Sequence, residues 1–163
     1  MASTLLILAA AVLASAQAAK KDPKGSTIHF AALLPGNVNR FPFAFQKVLP
    51  ALELAVANVT AVGGPLHGRE IQVHHSNSEC STAIAMNHMF NFYIKKQAHV
   101  FFGPCCDYAG APVARQLHYW KLPMLTPGAI ALDFAEKKEN FFDLVTRVGS
   151  SVNSLLELLL AVS

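Results

Sequence analysis

The chain reads as an α/β fold built on a parallel, doubly wound sheet. Two observations carry that reading. Short apolar runs, several of them closed by Pro-Gly or Gly-Pro, alternate with longer stretches whose apolar residues recur at helical intervals. That alternation is the pattern of β-α-β units, and the right-handed crossover rule then places helices on both faces of the sheet. The composition agrees with a packed domain. Of 163 residues, 53% are hydrophobic and 14% charged, the opposite of the balance that keeps a chain disordered. The length suits one ordinary domain.

Ile28-His29-Phe30-Ala31-Ala32-Leu33-Leu34, stopped by Pro35-Gly36, is the first buried strand. From Phe43 to about Val62, the positions Phe45, Val48, Leu49, Leu52, Val56 and Val59 follow helix periodicity, and Gly63-Gly64-Pro65 ends it. Pro50 lies inside this stretch, so the helix either starts or kinks there. Glu70 to His74 alternates like a half-buried strand. Ser81 to about Gln97 is helical, with Ala85, Met89, Phe92 and Tyr93 near one face. His99 to Phe102 is a third strand, and a small-residue helix follows from about Tyr108 to Tyr119. Pro123-Met124-Leu125 and Leu144 to Arg147 are the fourth and fifth strands. Ser154 and Glu157 fit a capping box that opens a last helix.

The N-terminus is of another kind. Met1 to Ala19 carries no charged side chain, Leu5 to Leu13 is apolar, and Ala14-Ser15-Ala16 and Ala16-Gln17-Ala18 have the small-x-small form of a cleavage site. Residues 1–19 therefore read as a secretory signal peptide, though no Lys or Arg precedes its apolar core. That core is shorter than a membrane span of about 20 residues, and no later stretch is long and apolar enough to make one. The mature chain is expected to be secreted into an oxidising compartment. The net charge, 13 − 10 = +3, is too small for a nucleic-acid-binding face.

In doubly wound sheets, ligands bind beyond the carboxyl ends of the strands. The turn after the third strand, Gly103-Pro104-Cys105-Cys106-Asp107-Tyr108, leads into a helix. Unpaired N–H groups at a helix start favour an anion, so Cys105 and Cys106 are candidates to donate to one; a plain tight turn is the competing reading. Three cysteines follow the leader. A Cys105–Cys106 bridge would be strained, whereas Cys80 joined to either of them would clip two neighbouring turns and stabilise by about 3.5 kcal/mol in the chain-entropy model. The three sulfurs lack CxxC spacing and a fourth ligand, so no metal is expected.

Phe101 to Arg115, followed by Trp120-Lys121-Leu122-Pro123-Met124-Leu125-Thr126-Pro127-Gly128-Ala129, closely resembles the hormone-binding ectodomain of natriuretic peptide receptors, the receptor guanylate cyclases and the clearance receptor. Ala32 to Pro35 and Val48 to Glu53 match in kind, and the resemblance runs from about Ile28 to Leu158. It implies a type I periplasmic-binding-protein fold, of which residues 26–163 would be a partial N-terminal lobe. It implies a Cys80–Cys106 disulfide. It implies a chloride ion held by the N–H groups of Cys105 and Cys106 and a hydroxyl from Ser76 or Ser78; no other cofactor is expected. Peptide-contacting positions fall on Tyr108, Arg115 and Glu139, and dimer contacts on Tyr119 and Trp120, with Trp120 equally readable as a core anchor. The partners implied are a natriuretic-type peptide hormone and a second copy of the receptor.

Departures from the family pattern are visible. Glycine is common where Cys105 stands, so cysteine would meet a backbone cost if that position needs φ > 0. Thr82 stands where some members carry an acidic contact residue. The mature chain is about half the length of a complete ectodomain, and it carries no transmembrane, kinase-like or cyclase segment. It reads as a truncated product of a single-pass plasma-membrane receptor, with weak or no hormone affinity alone and no catalytic domain of its own. Asn58-Val59-Thr60 is a glycosylation sequon. His74 and His75 are adjacent on a strand and face opposite ways, which disfavours a shared metal. Two other readings compete: a small-molecule or amino-acid-binding lobe of the same fold, and an enzyme using Cys105 or Cys106 as nucleophile, with His118 or His74 as base.

Overall fold

A computed structural model describes residues 27–149 and 151–162. The leader assigned to residues 1–19 lies outside the described residues. The element order is β1 (Ile28–Leu34), α1 (Phe45–Thr60), β2 (Ile71–Asn77), α2 (Thr82–Ile94), β3 (Val100–Phe102), α3 (Asp107–Trp120), β4 (Met124–Thr126), α4 (Asp133–Glu136), α5 (Lys138–Phe141), β5 (Val145–Arg147) and α6 (Val152–Val162). The five strands form one sheet in the order β2-β1-β3-β4-β5, and every pairing is parallel. The strand order reverses between β1 and β3, which makes that junction the switch point where ligands collect in such sheets.

Ala31 pairs with both His74 and Phe101, so the strands share register across the switch point. On one face, Ala31, Leu33, Phe101, Met124 and Val145 pack with Ala85, Met89 and Phe92 of α2 and Val113, Ala114 and Leu117 of α3. On the other, Leu52, Val56 and Val59 of α1 and Phe30, Val73 and Phe102 of the sheet line an apolar cavity of about 420 Å³. Helices on both faces follow from parallel pairing, because each crossover must cover the sheet.

The strand–helix alternation matches the sequence expectation, with differences that have physical reasons. Strand β2 runs on to Asn77, past the end of its apolar alternation, because His75, Ser76 and Asn77 pair with the buried end of β1. Helix α1 starts at Phe45, so Pro50 lies in its interior and starts nothing. The short helices α4 and α5 fall where no periodicity was legible; four residues are too few to show one. They carry Phe134 and end beside Phe142, whose rings lie 4.7 Å apart and close that end of the core. The cap of α6 is a correction. The helix begins at Val152 and Ser151 does the capping, accepting from the Ser154 N–H at 3.1 Å, so Ser154 sits inside the first turn. None of the side chains of α6 is buried, and no described helix is long and apolar enough to cross a membrane.

Candidate functional site: the turns at the carboxyl edge of the sheet

The turn after β3 is braced on three sides. Gly103 has φ +78°, and a Cβ there would lie 2.6 Å from the Leu33 carbonyl, so only glycine lets the chain pass β1. Its N–H donates to the Leu125 carbonyl at 2.8 Å. The Gly103–Pro104 peptide is cis. The buried Thr126 hydroxyl donates to the Pro104 carbonyl at 2.9 Å and accepts from the Gly128 N–H at 3.1 Å. Gly128 itself passes so close to Cys105 that a Cβ would stand 1.9 Å from the carbonyl oxygen, while the Ala129 N–H donates to that oxygen at 3.2 Å. The turn after β4 is thereby pressed onto the turn after β3. Thr126 and Gly128 lie in the recognisable stretch, but their bracing role had no signal in the sequence.

The third brace is covalent. Cys80 and Cys106 form a disulfide with Cα atoms 5.6 Å apart. Glu79 and Cys80 both adopt left-handed backbone, at φ 50° and 55°. Cys105 does not, so the expected backbone cost of cysteine there is absent; the strain sits across the disulfide, on the β2 side. Cys105 is free and buried, and burial pushes its thiol up to about 12. One sulfur is oxidised and the other is held as the neutral thiol, so neither supplies the thiolate a cysteine nucleophile needs. His118, proposed as its base, hydrogen-bonds Asp143 at the far end of α3. His74 meets His29, Nε2 to Nδ1 at 3.0 Å, and the Phe92 ring.

The Ser78 N–H donates to the Leu34 carbonyl at 3.1 Å, which fixes Ser78 beside the switch point. It is 1% exposed, and its hydroxyl oxygen has no hydrogen-bond partner among the described residues. Ser76 sits within β2, paired with Leu33. Cys106 is the N-cap of α3, and no described carbonyl accepts from its N–H or from that of Cys105. An orphaned buried hydroxyl two residues before the disulfide and two unspent amide donors on its other side are groups that suit a small anion, and the Asp107 Oδ1 beside them is a buried orphan as well.

Tyr108 is 89% exposed at the start of α3. Its carbonyl accepts from the Thr82 hydroxyl at 2.7 Å, which ties α3 to α2 across the disulfide. Arg115, two turns on, places its guanidinium 5.3 Å from the centroid of Phe142 and 5.7 Å from that of Phe141. Tyr108 and Arg115 line one groove of about 370 Å³, together with Asp107, Asp133 and Phe134. Glu139 is not in it. It borders a separate cavity beside Glu136, Lys138 and Asp143. The sequence reading missed Asp133 and Phe134, because α4 was not legible, and it gave Asp107 of the legible turn no part in a groove.

Trp120 is half-buried. It stacks on Tyr93 with centroids 3.7 Å apart and meets Phe90 edge-on at 5.2 Å, so it anchors the α2–α3 contact. Its neighbour Tyr119 is 79% exposed. Asn58 is exposed within the last turns of α1. His74 and His75 do face opposite ways: His75 stacks on Phe45 of α1, whereas His74 lies against α2.

Comparison with known proteins places this geometry. The chain is 32% identical over 138 residues to atrial natriuretic peptide receptor 2 of Anguilla japonica, covering 82% of this chain and 13% of that protein. It is 34% identical over 140 residues to atrial natriuretic peptide receptor 3 of Bos taurus, covering 82% of this chain and 26% of that one. The chain thus spans about a quarter or less of these relatives. Among solved structures, it superposes on an ABC transporter substrate-binding protein from Desulfitobacterium hafniense in complex with leucine. The TM-score is 0.68 at 19% identity, over 84% of this chain and 38% of that one. The branched-chain amino acid transporter substrate binding protein LivJ from Streptococcus pneumoniae, in complex with isoleucine, gives 0.61 at 20% identity, over 77% and 34%. These neighbours share the type I periplasmic-binding-protein fold. Residues 47–162 match the family described as receptor family ligand binding region, and the chain belongs to that family.

Proposed function

We propose that the chain is part of an extracellular receptor lobe that binds a natriuretic-type peptide hormone. The observation that carries this reading is the groove in which Tyr108 and Arg115 stand over Asp107, Asp133 and Phe134. An exposed aromatic ring, a guanidinium and two carboxylates offer a peptide both apolar contact and charge of either sign, and Tyr and Arg are the residue types on which interface energy concentrates. The resemblance of the Phe101–Ala129 stretch to hormone receptors supports it further. Glu139 would meet the hormone from its separate cavity.

Chloride at the Cys105–Cys106 turn belongs to the same proposal, with Ser78 favoured over Ser76 because its hydroxyl is the buried orphan. The ion would neutralise the amide donors and stiffen the turn that carries Tyr108. Export is the setting in which a Cys80–Cys106 disulfide persists and in which Asn58 would be glycosylated. Tyr119, exposed beside the anchored Trp120, is the proposed contact for a second copy.

The test is NMR titration of the secreted chain with a natriuretic peptide. The expected result is weak, saturable shifts at Tyr108 and Arg115, reduced about tenfold in affinity by Arg115→Ala, the scale of one interface anchor. Shifts confined to other faces, or an affinity that Arg115→Ala leaves unchanged, would overturn the reading.

A further inference from the structure

Away from the turns at the carboxyl edge, three histidines come from three neighbouring segments of the sheet. His29 lies on β1, His74 on β2, and His99 immediately before β3. The His29 Nδ1 and the His74 Nε2 face each other at 3.0 Å. We infer that this pair is a binding site for a divalent transition-metal ion of the zinc class, with those two nitrogens as its protein ligands.

Strand register sets the two rings on one face. Ala31, two residues after His29, pairs with His74. Residues two apart on a strand share a face, and so do paired residues on neighbouring strands. It is the α2 face: Ala31 packs in the core with α2, and the His74 ring lies 6.3 Å from that of Phe92. The adjacent His75 takes no part, because its ring stacks on Phe45 of α1.

Both rings are braced. The His29 N–H donates to the His99 Nδ1 at 2.9 Å, and the His99 N–H donates to the His29 carbonyl at 2.8 Å. The His99 ring also stacks on that of His29, with centroids 5.4 Å apart. His99 is thus a positioning residue, as Phe92 is for His74. Ligands held in place before the ion arrives lose little freedom in binding it.

The chemistry fits a borderline metal. Imidazole suits zinc, copper and nickel, and the neutral ring is the form that ligates. Bonds of about 2.0–2.1 Å at a tetrahedral angle put two ligating nitrogens about 3.3 Å apart, so the pair needs to open by only a few tenths of an ångström. Within the pair, one ring N–H donates to the lone pair of the other, and the ion takes the place of that hydrogen. The ring that gave it carries a hydrogen on its other nitrogen instead, Nε2 for His29 or Nδ1 for His74, so both ligands are neutral and the charge of the protein is unchanged. No group of three or more acidic, thiol or imidazole side chains gathers around an ion among the described residues. The protein therefore supplies two ligands, and water, which reaches both half-buried rings, supplies the rest. The disulfide clips the carboxyl end of β2 to α3; this ion would clip β2 to β1 nearer their amino ends.

The experiment is calorimetric titration of the untagged, secreted chain with zinc chloride and with magnesium chloride, beside NMR of the histidine rings. Zinc is expected to bind saturably in the micromolar range and to raise the thermal midpoint, whereas magnesium, which takes oxygen ligands, should do neither. The ring signals of His29 and His74 should move at lower zinc than that of His118, which is hydrogen-bonded to Asp143. His29→Gln and His74→Gln should each weaken zinc at least tenfold, since even outer-shell partners are worth 10–100-fold. Circular dichroism checks that each variant is folded, and the ring titration of the parent chain tests the site without any variant. Absence of saturable zinc binding, shifts that begin at other histidines, or an affinity that both variants leave unchanged would overturn the inference. Natriuretic peptide binding should be untouched by either variant, so the two proposals fail separately.

Discussion

The Thr82 hydroxyl donates to the Tyr108 carbonyl at 2.7 Å, and this carbonyl is the one that Pro112 leaves without a helical donor. In α3, the N–H of residue 112 would donate to the carbonyl of residue 108, but proline has none. A proline inside one helix is thus compensated by the first residue of another, at the point where the exposed Tyr108 is presented.

That pairing predicts a coupled mutant cycle. Thr82→Val should cost about 1 kcal/mol, the net worth of one hydrogen bond. In a Pro112→Ala background the helix supplies its own donor, and the cost should fall to near zero. Urea unfolding of the four proteins measures the coupling; equal costs in both backgrounds would contradict it.

The disulfide closes a sequence separation of 26 residues. Cys80→Ser with Cys106→Ser should lower unfolding free energy by about 3.5 kcal/mol in the chain-entropy model. Cys105 should resist alkylation by iodoacetamide at pH 8 in the folded protein, because its thiol is buried and pushed up to about 12. Peptide mass mapping reads both the bridge and the unreacted thiol.

Gly128→Ala sets a methyl group 1.9 Å from the Cys105 carbonyl oxygen. Backbone cannot yield as a side chain does, so the variant should lose about 3 kcal/mol, the upper range of overpacking. Gly68→Ala is the control: nothing lies within 4 Å of its Cβ position, and its cost comes only from φ +74°. Thermal unfolding should rank Gly128→Ala as clearly the worse.

Chloride should raise the thermal midpoint relative to gluconate at equal ionic strength. In Ser78→Ala that increment should shrink. Without chloride the same variant should be at least as stable as the parent, because it removes a buried hydroxyl that has no described partner. An unchanged chloride increment in Ser78→Ala would remove Ser78 from the anion site.

The histidines give a pH dependence. His74 is held below its ordinary value of 6.5, first by burial and then by His29 beside it. The unfolded chain then binds the proton more tightly than the folded one. The contribution to stability is fully present above pH 6.5 and is lost as pH falls toward the lower folded value. His74→Gln should flatten the stability profile across that interval, and an NMR titration of His74 should give a midpoint below 6.5.

The sequence alone determined the layers of this protein. Apolar runs closed by Gly and Pro, alternating with helical periodicity, specify a parallel sheet covered on both faces, because local patterning dictates which faces must be buried. The Gly103–Tyr108 turn was legible for the same reason, since a strand-to-helix junction is a local signal. Tertiary structure decided what periodicity cannot encode. It chose Cys106 over Cys105 as the partner of Cys80, since pairing depends on where two distant turns meet. It put Tyr108 and Arg115 in one groove and Glu139 in another. Such neighbours are separated by many residues along the chain, and only the packing of the sheet brings them together.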